Sequence, residues 1–272
     1  MNTSAAAHDP ERTDLLPARR RTLILNHVRL RGAASIQELA DATGVSLSTV
    51  RRDLDALTEQ GYLSRTHGGA LIERAPAATF EPTLGIAERT ARAQKVAIGR
   101  EAARRVMPGA SVLADAGTTV QEAVRCLVER AIPLTLVTNG LDAALLCRDV
   151  PSIRTLVVGG MLRVGSSVLT GEPGLSFMGS LHADLCLLGA HSISNGLVTE
   201  TSLEGAAIKQ AMQRGARGTI LLADSGKFRH AAFCTVCDVA TLDEIITDDG
   251  IAPVVLSGLR ERGVTVTVVP TA

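Results

Sequence analysis

Three short stretches of the chain carry side chains able to do chemistry at useful spacings. VSLSTVRRDLDALTEQGYL (45–63) places hydroxyls at Ser46, Ser48 and Thr49 ahead of the pair Arg51-Arg52. LADAGTTV (113–120) sets Asp115 before Gly117, Thr118 and Thr119, and ADSGK (223–227) ends on Lys227. Arginine can bond a guanine edge bidentately or neutralise a phosphate, and Ser and Thr suit phosphates or either base type. A strand that passes through glycine into a helix exposes backbone N–H groups, and two threonine hydroxyls beside them make an anion cradle. A carboxylate beside a phosphate is repelled, so Asp115 is expected to accept hydrogen bonds from sugar hydroxyls. The set suits a phosphorylated polyol better than a bare anion. The plainer alternatives are Thr118 as an ordinary N-cap, Lys227 as a solvated loop lysine, and an i,i+4 pair of Arg51 with Asp55.

The elements that must hold these residues fall into two series. RRRTLILNHVRLRG reads as a helix ended by Gly32, and SIQELADATG opens with Ser35 and Glu38 at capping-box spacing. Ser46 is the next N-cap, for a helix running to about Gln60. On a helical wheel Leu47, Val50, Leu54 and Leu57 share one side and Arg52 lies opposite, with Ser48 and Thr49 nearby and Arg51 at the flank. YLSRTHGGALI then reads as two strands around Gly68-Gly69. Three helices and a hairpin form a winged helix-turn-helix plan, in which the N-terminal half of the second motif helix meets base edges.

After the Pro- and Ala-rich stretch ERAPAATFEPTLG the pattern changes. Strands are expected at 111–115, 134–138, 155–160, 184–190, 219–224, 244–248 and 264–269, and helices at about 91–107, 118–130, 140–148, 202–215 and 253–262. Near-continuous apolar strands alternating with helices predict a mostly parallel sheet covered on both faces, with ligands beyond the carboxyl ends of its strands. Thr201 and Glu204 are spaced as a capping box for the helix bearing Lys209. The boundaries that follow are a disordered tail over 1–17, a DNA-binding domain over 18–75, a linker over 76–85 and an α/β domain over 86–272.

Composition narrows the class. The chain has 272 residues, 46% hydrophobic and 21% charged, with zero net charge, so overall charge names no partner. Residues 18 to 75 carry nine arginines against six acids, a weak basic bias compatible with nucleic-acid binding. No apolar run approaches the roughly 18 residues of a membrane span, and the N-terminus does not read as a signal peptide; a cytoplasmic setting is expected. Five scattered cysteines are no disulfide framework, and Cys234 and Cys237 lack a second pair for zinc; no metal and no cofactor are expected.

RRTLILNHVRLRGAASIQELADATGVSLSTVRRDLDALTEQGYLSRTHGGA closely resembles the N-terminal domain of the DeoR family of bacterial sugar-metabolism regulators. The resemblance implies that the helix bearing Ser48, Thr49, Arg51 and Arg52 is the recognition helix, with wing contacts from Arg65 or His67. DAGTTV, VTNG, VVGG, GAAIKQAM and ADSGKF resemble the family's C-terminal sensor domain, which is related in fold to ribose-5-phosphate isomerase and typically binds a phosphosugar. The family's ligand pattern falls on Asp115, Gly117, Thr118, Thr119, Asn139, Lys209 and Lys227. Two positions depart from it: GAHSI has His191 and Ser192 where many members have an acid and glycine, and Gly205 stands where many carry Glu. His191 is open as a ligand contact or a packed surface histidine. The resemblance implies a repressor of sugar or polyol genes that binds operator DNA as a homodimer or homotetramer and is relieved by a phosphosugar. The competing expectation is a phosphosugar isomerase with an appended DNA-binding domain.

Overall fold

The computed structural model describes residues 17–31, 33–59, 62–66, 68–71, 78–79 and 84–271. The chain forms two compact units, divided between positions 76 and 77. The expected tail lies outside the described residues except for Pro17, which opens the first helix, where a missing N–H costs nothing. The expected linker lies largely outside them too.

The first unit runs α1 (Pro17–Arg31), β1 (Ala33–Ser35), α2 (Ile36–Thr43), α3 (Leu47–Glu59), β2 (Ser64–Thr66) and β3 (Gly69–Leu71). Ser35 caps α2 by the reciprocal pair the spacing predicts: its Oγ accepts from Glu38 N, and the Glu38 carboxylate accepts from Ser35 N. Gly44 ends α2 with φ 68°, a left-handed turn that favours glycine, and its N–H donates to Ala40 O. The core joins Ile24, Leu25 and Val28 of α1, Leu39 of α2, and Val50, Leu54 and Leu57 of α3. Leu47 is a correction: expected in that stripe, it is 39% exposed at the first turn of α3. The hairpin β2–β3 forms as read, and β1 adds a third antiparallel strand on the other side of β3.

The second unit comprises α4 (Leu84–Arg89), α5 (Arg92–Arg105), β4 (Ser111–Ala114), α6 (Thr118–Arg130), β5 (Leu134–Thr138), α7 (Leu141–Leu146), β6 (Ile153–Val157), β7 (Met161–Leu162), β8 (Leu169–Thr170), α8 (Gly174–Gly179), β9 (Ala183–Gly189), β10 (Ser192–Ser194), β11 (Leu197–Glu200), α9 (Leu203–Arg214), β12 (Ala216–Leu222), β13 (Cys234–Asp238), β14 (Glu244–Asp248), α10 (Pro253–Glu261) and β15 (Thr265–Val269). All seven expected strands join one parallel sheet in the order β15-β14-β12-β9-β4-β5-β6. Alternate residues serve two cores. Val112, Ala114, Leu187, Ile220 and Leu222 pack with α5, α6 and α7, while Leu113, Cys186, Leu188, Leu221 and Ile245 pack with α8, α9 and α10. Burial on both faces explains the unbroken apolar runs.

The chain builds outward from β4 through β5 to β6, then returns to lay β9 on the other side of β4. The order therefore reverses between β4 and β9, the topological switch point where ligands of open α/β sheets bind. Two elements beyond the sequence reading flank this edge: the hairpin β7–β8 and a small antiparallel sheet, β10-β11-β13. The cap of α9 is a second correction. Ser202 Oγ, not Thr201, accepts from Gly205 N, because Thr201 is buried and its N–H and hydroxyl both bond Glu200 Oε1. Cys234 and Cys237 are free, and no group of three metal-ligating side chains occurs among the described residues. No helix among the described residues is long and apolar enough to cross a membrane.

Candidate DNA-reading face and effector site

The start of α3 gathers hydroxyls. Ser46 Oγ lies 2.9 Å from both Ser48 Oγ and Thr49 Oγ1 and accepts from Thr49 N. Ser46, Ser48, Arg51 and Arg52 are exposed and Thr49 is half-buried, so this end of the helix presents hydroxyls and two guanidinium groups to solvent. Among the described residues neither Arg51 nor Arg52 has an ion-pair partner. The weighed Arg51–Asp55 pair does not form; Asp55 instead meets Arg65 Nε of β2 at 3.4 Å. Arg65 thus ties wing to helix, and His67 lies outside the described residues.

What fixes the rotation of α3 is a residue that spacing did not reveal. Asp53 is 1% exposed, and its two oxygens accept from Arg20 Nε and Arg21 Nε of α1. With Asp53 turned inward, its neighbour Arg52 faces out. Arg20 and Arg21, two of the nine arginines behind the basic bias of this unit, therefore hold the module together.

The candidate effector site lies at the β4–β9 switch point. Asp115 follows β4 and is buried, and its Oδ2 accepts from Gly189 N at 3.0 Å and Lys209 Nζ at 2.8 Å. A Cβ at Gly189 would stand 2.9 Å from that oxygen, so glycine lets the end of β9 close on the carboxylate. Lys209 also donates to Gly189 O at 2.9 Å and faces Glu200 Oε2 at 3.2 Å, which engages all three of its donors. Burial alone would lower its pKa, but the charges of Asp115 and Glu200 hold it above the usual lysine value. Burial would likewise raise Glu200; Lys209 and the Thr201 N–H instead bring it down to about 2. Asp115 Oδ1 accepts no hydrogen bond among the described residues and is free for a hydroxyl.

Glu200 also accounts for the glycine at 205. A Cβ there would lie 3.0 Å from Glu200 Cγ and from Ser202 Oγ. The second carboxylate on Lys209 therefore comes from the end of β11, and Glu204 is exposed.

Beside this triad stands the anion cradle. Gly117 caps α6 with no side chain to satisfy the first amides, and Thr118 Oγ1 accepts from Lys95 Nζ at 2.9 Å. Lys95 comes from α5, is 3% exposed, and also donates to Ala87 O. Burial chiefly, with the Lys227 charge, lowers its pKa to about 8 against the pull of Asp224. Lys95 was missed in the sequence, yet it lies in phase with the buried Ile98, Gly99 and Ala102, an unusual place for a lysine. Lys227 follows β12 in a loop pinned by Asp248, whose oxygens accept from Ser225 N, Ser225 Oγ and Gly250 N. Burial, with Arg229, holds Lys227 below the usual lysine value.

The structure thus brings Asp115, Gly117 and Lys209 together directly. Thr118 joins Lys95, and Lys227 joins by its field. Asn139 stands one strand away at the end of β5, where its Nδ2 donates to Leu169 O and its buried Oδ1 has no partner among the described residues. Thr119 is buried in the first turn of α6.

A family model described as the DeoR-like helix-turn-helix domain matches residues 20–75, and one described as the DeoR C terminal sensor domain matches residues 90–249. The HTH-type transcriptional repressor CsqR of Escherichia coli (strain K12) is 31% identical over 87% of this chain and 90% of its own. The glycerol-3-phosphate regulon repressor of the same organism is 29% identical over 83% of this chain and 88% of its own. Among solved structures, ribose 5-phosphate isomerase A from Methanocaldococcus jannaschii is 14% identical, covering 52% of this chain and 56% of that one with a TM-score of 0.39, a partial likeness that carries no chemistry across. With both domain models matched in order along the chain, this protein belongs to the DeoR family of helix-turn-helix transcriptional regulators.

Proposed function

We propose that the protein is a repressor of sugar or polyol catabolism genes, released from operator DNA by a phosphorylated sugar. The observation that carries this is Lys95 on Thr118 at the uncapped start of α6, next to the open oxygen of Asp115. Backbone amides, a hydroxyl and an ammonium suit a phosphate, and the carboxylate suits the hydroxyls of the carbon chain attached to it. A homodimer or homotetramer would present two copies of α3 to paired half-sites, with Arg52 at a base edge and Arg51 and the Ser46–Thr49 hydroxyls at phosphates. Release requires the effector to bind the DNA-free state more tightly, since equal affinity for both states shifts nothing.

Isomerase chemistry needs a carboxylate base able to take a proton. Asp115 and Glu200 are both engaged by Lys209, and no turnover is expected. The test is to select duplexes from a randomised pool with the full chain, then titrate phosphosugars into the complex. Enrichment of a paired motif and release by at least one phosphosugar, recovered unchanged, are expected. No enriched motif, or no release by any of them, would sink the reading.

A further inference from the structure

Beyond the Lys95 cradle stand two further cations, Lys227 and Arg229, with Asp224 as the acid whose charge acts on both. Arg229 follows Lys227 and Phe228 and is anchored by its backbone N–H to Ile193 O of β10. Its guanidinium uses one terminal nitrogen to donate to His191 Nε2 and His191 O, both at 3.2 Å. Among the described residues its Nε and other terminal nitrogen have no acceptor, and no carboxylate lies within ion-pair distance. The Lys227 ammonium has no hydrogen-bond partner among the described residues either. Both side chains are half-buried, a placement in which an unpaired charge is costly unless a ligand completes it.

His191 keeps the Arg229 charge uncancelled. Burial, reinforced by Arg229 and Lys227, holds its pKa down to about 3, so it is a neutral acceptor that orients the guanidinium without cancelling its charge. An acid at this position would neutralise Arg229; histidine leaves the planar fork open to an acidic group from outside. That fork matches a carboxylate or phosphate bidentately. The Lys227 charge acts on both Lys95 and His191.

We propose that the effector carries two acidic groups: a phosphate held at the start of α6 with Lys95, and a second acid held by Arg229 beside His191. This rests on the phosphosugar reading above and narrows it to phosphorylated sugar acids or bisphosphates. A neutral sugar end would satisfy hydrogen bonds at Arg229 but leave its charge unmatched.

The test uses pairs that differ in the second acid: 6-phosphogluconate against glucose 6-phosphate, 3-phosphoglycerate against glycerol 3-phosphate, and fructose 1,6-bisphosphate against fructose 6-phosphate. Each is titrated calorimetrically into the full chain. A preference of roughly ten- to a hundred-fold for the diacid member in at least one pair is expected, the range of one charge-assisted contact. Arg229→Ala and, independently, His191→Asp should abolish that preference, so that the two members of the pair bind alike, with unchanged melting curves as the check on folding. Preference in the first two pairs identifies a carboxylate, and preference in the third alone a second phosphate. Equal affinities within every pair, or a preference that survives Arg229→Ala, would overturn the proposal while the phosphosugar reading stands. Binding of no phosphate ester by the folded chain would remove both.

Discussion

In the first unit a carboxylate, Asp53, lies between two guanidinium groups; in the second an ammonium, Lys209, lies between two carboxylates. Burying such groups is expensive, and neither triad is best understood as a source of net stability. What differs is where each points. Asp53 uses both oxygens to join α1 to α3, and its product is an orientation: one residue earlier, Arg52 faces outward. Lys209 uses all three donors at the open end of the sheet and leaves Asp115 Oδ1 available. One triad is a bolt. The other is the back wall of the proposed binding site.

That difference can be broken at several points. Lys209→Met leaves two buried carboxylates facing each other and should cost about 3–5 kcal/mol near neutral pH. The pH dependence distinguishes the variant. In the native chain Glu200 is held at about 2 against an ordinary 4.5, so its contribution is present above pH 4.5 and lost as pH falls toward 2. In the variant, protonating one carboxyl relieves the repulsion, so its deficit should shrink on acidification; a deficit in denaturant melts that grows instead would contradict the wall. Asp53→Ala should cost about 3 kcal/mol, at the low end because Arg21 reaches water, with phosphosugar affinity unchanged. A parallel loss of effector affinity would show that the bolt is not local.

Arg52→Ala should lower operator affinity by about 1–3 kcal/mol and relax its sequence preference, with melting curves unaltered. Arg51→Ala should weaken all sequences alike; identical patterns for the two would erase the split between base and phosphate contact. Phosphate-ester binding should weaken by about ten-fold per pH unit well above pH 8, as the Lys95 ammonium loses its proton in the free protein, and Lys95→Met should remove that dependence. Titrations across that range check it. The smallest effect is Ser35→Ala, about 1 kcal/mol from the lost cap of α2, read by thermal melting of the first unit.

The parts legible in the sequence are those governed by local rules. The seven long strands announce themselves because burial on both faces leaves no room for polar residues, and Ser35 with Glu38 is a purely local cap. The sheet β10-β11-β13 stayed hidden because SIS, LVTE and CTVCD are short and mix polar with apolar residues. Thr201 and Ser202 both fit a cap by spacing, and only the distant demand of Glu200 selects between them. Asp115, Gly117 and Thr118 were legible as a strand-to-helix motif. Lys95, Glu200 and Arg229 were not, because each reaches the site from a separate element and its meaning arises only when the strands pair.

The reversal of strand order between β4 and β9 bears on how such a sensor can be retuned. The contact of Asp115 with Gly189 belongs to the sheet itself, where an added methyl group would collide with the carboxylate. His191 and Arg229 sit on segments that leave the sheet. With the effector seated as proposed, exchanging those two positions would change which chemical ends the pocket welcomes while every strand keeps its register, so a library built on them explores new inducers on an unaltered chassis.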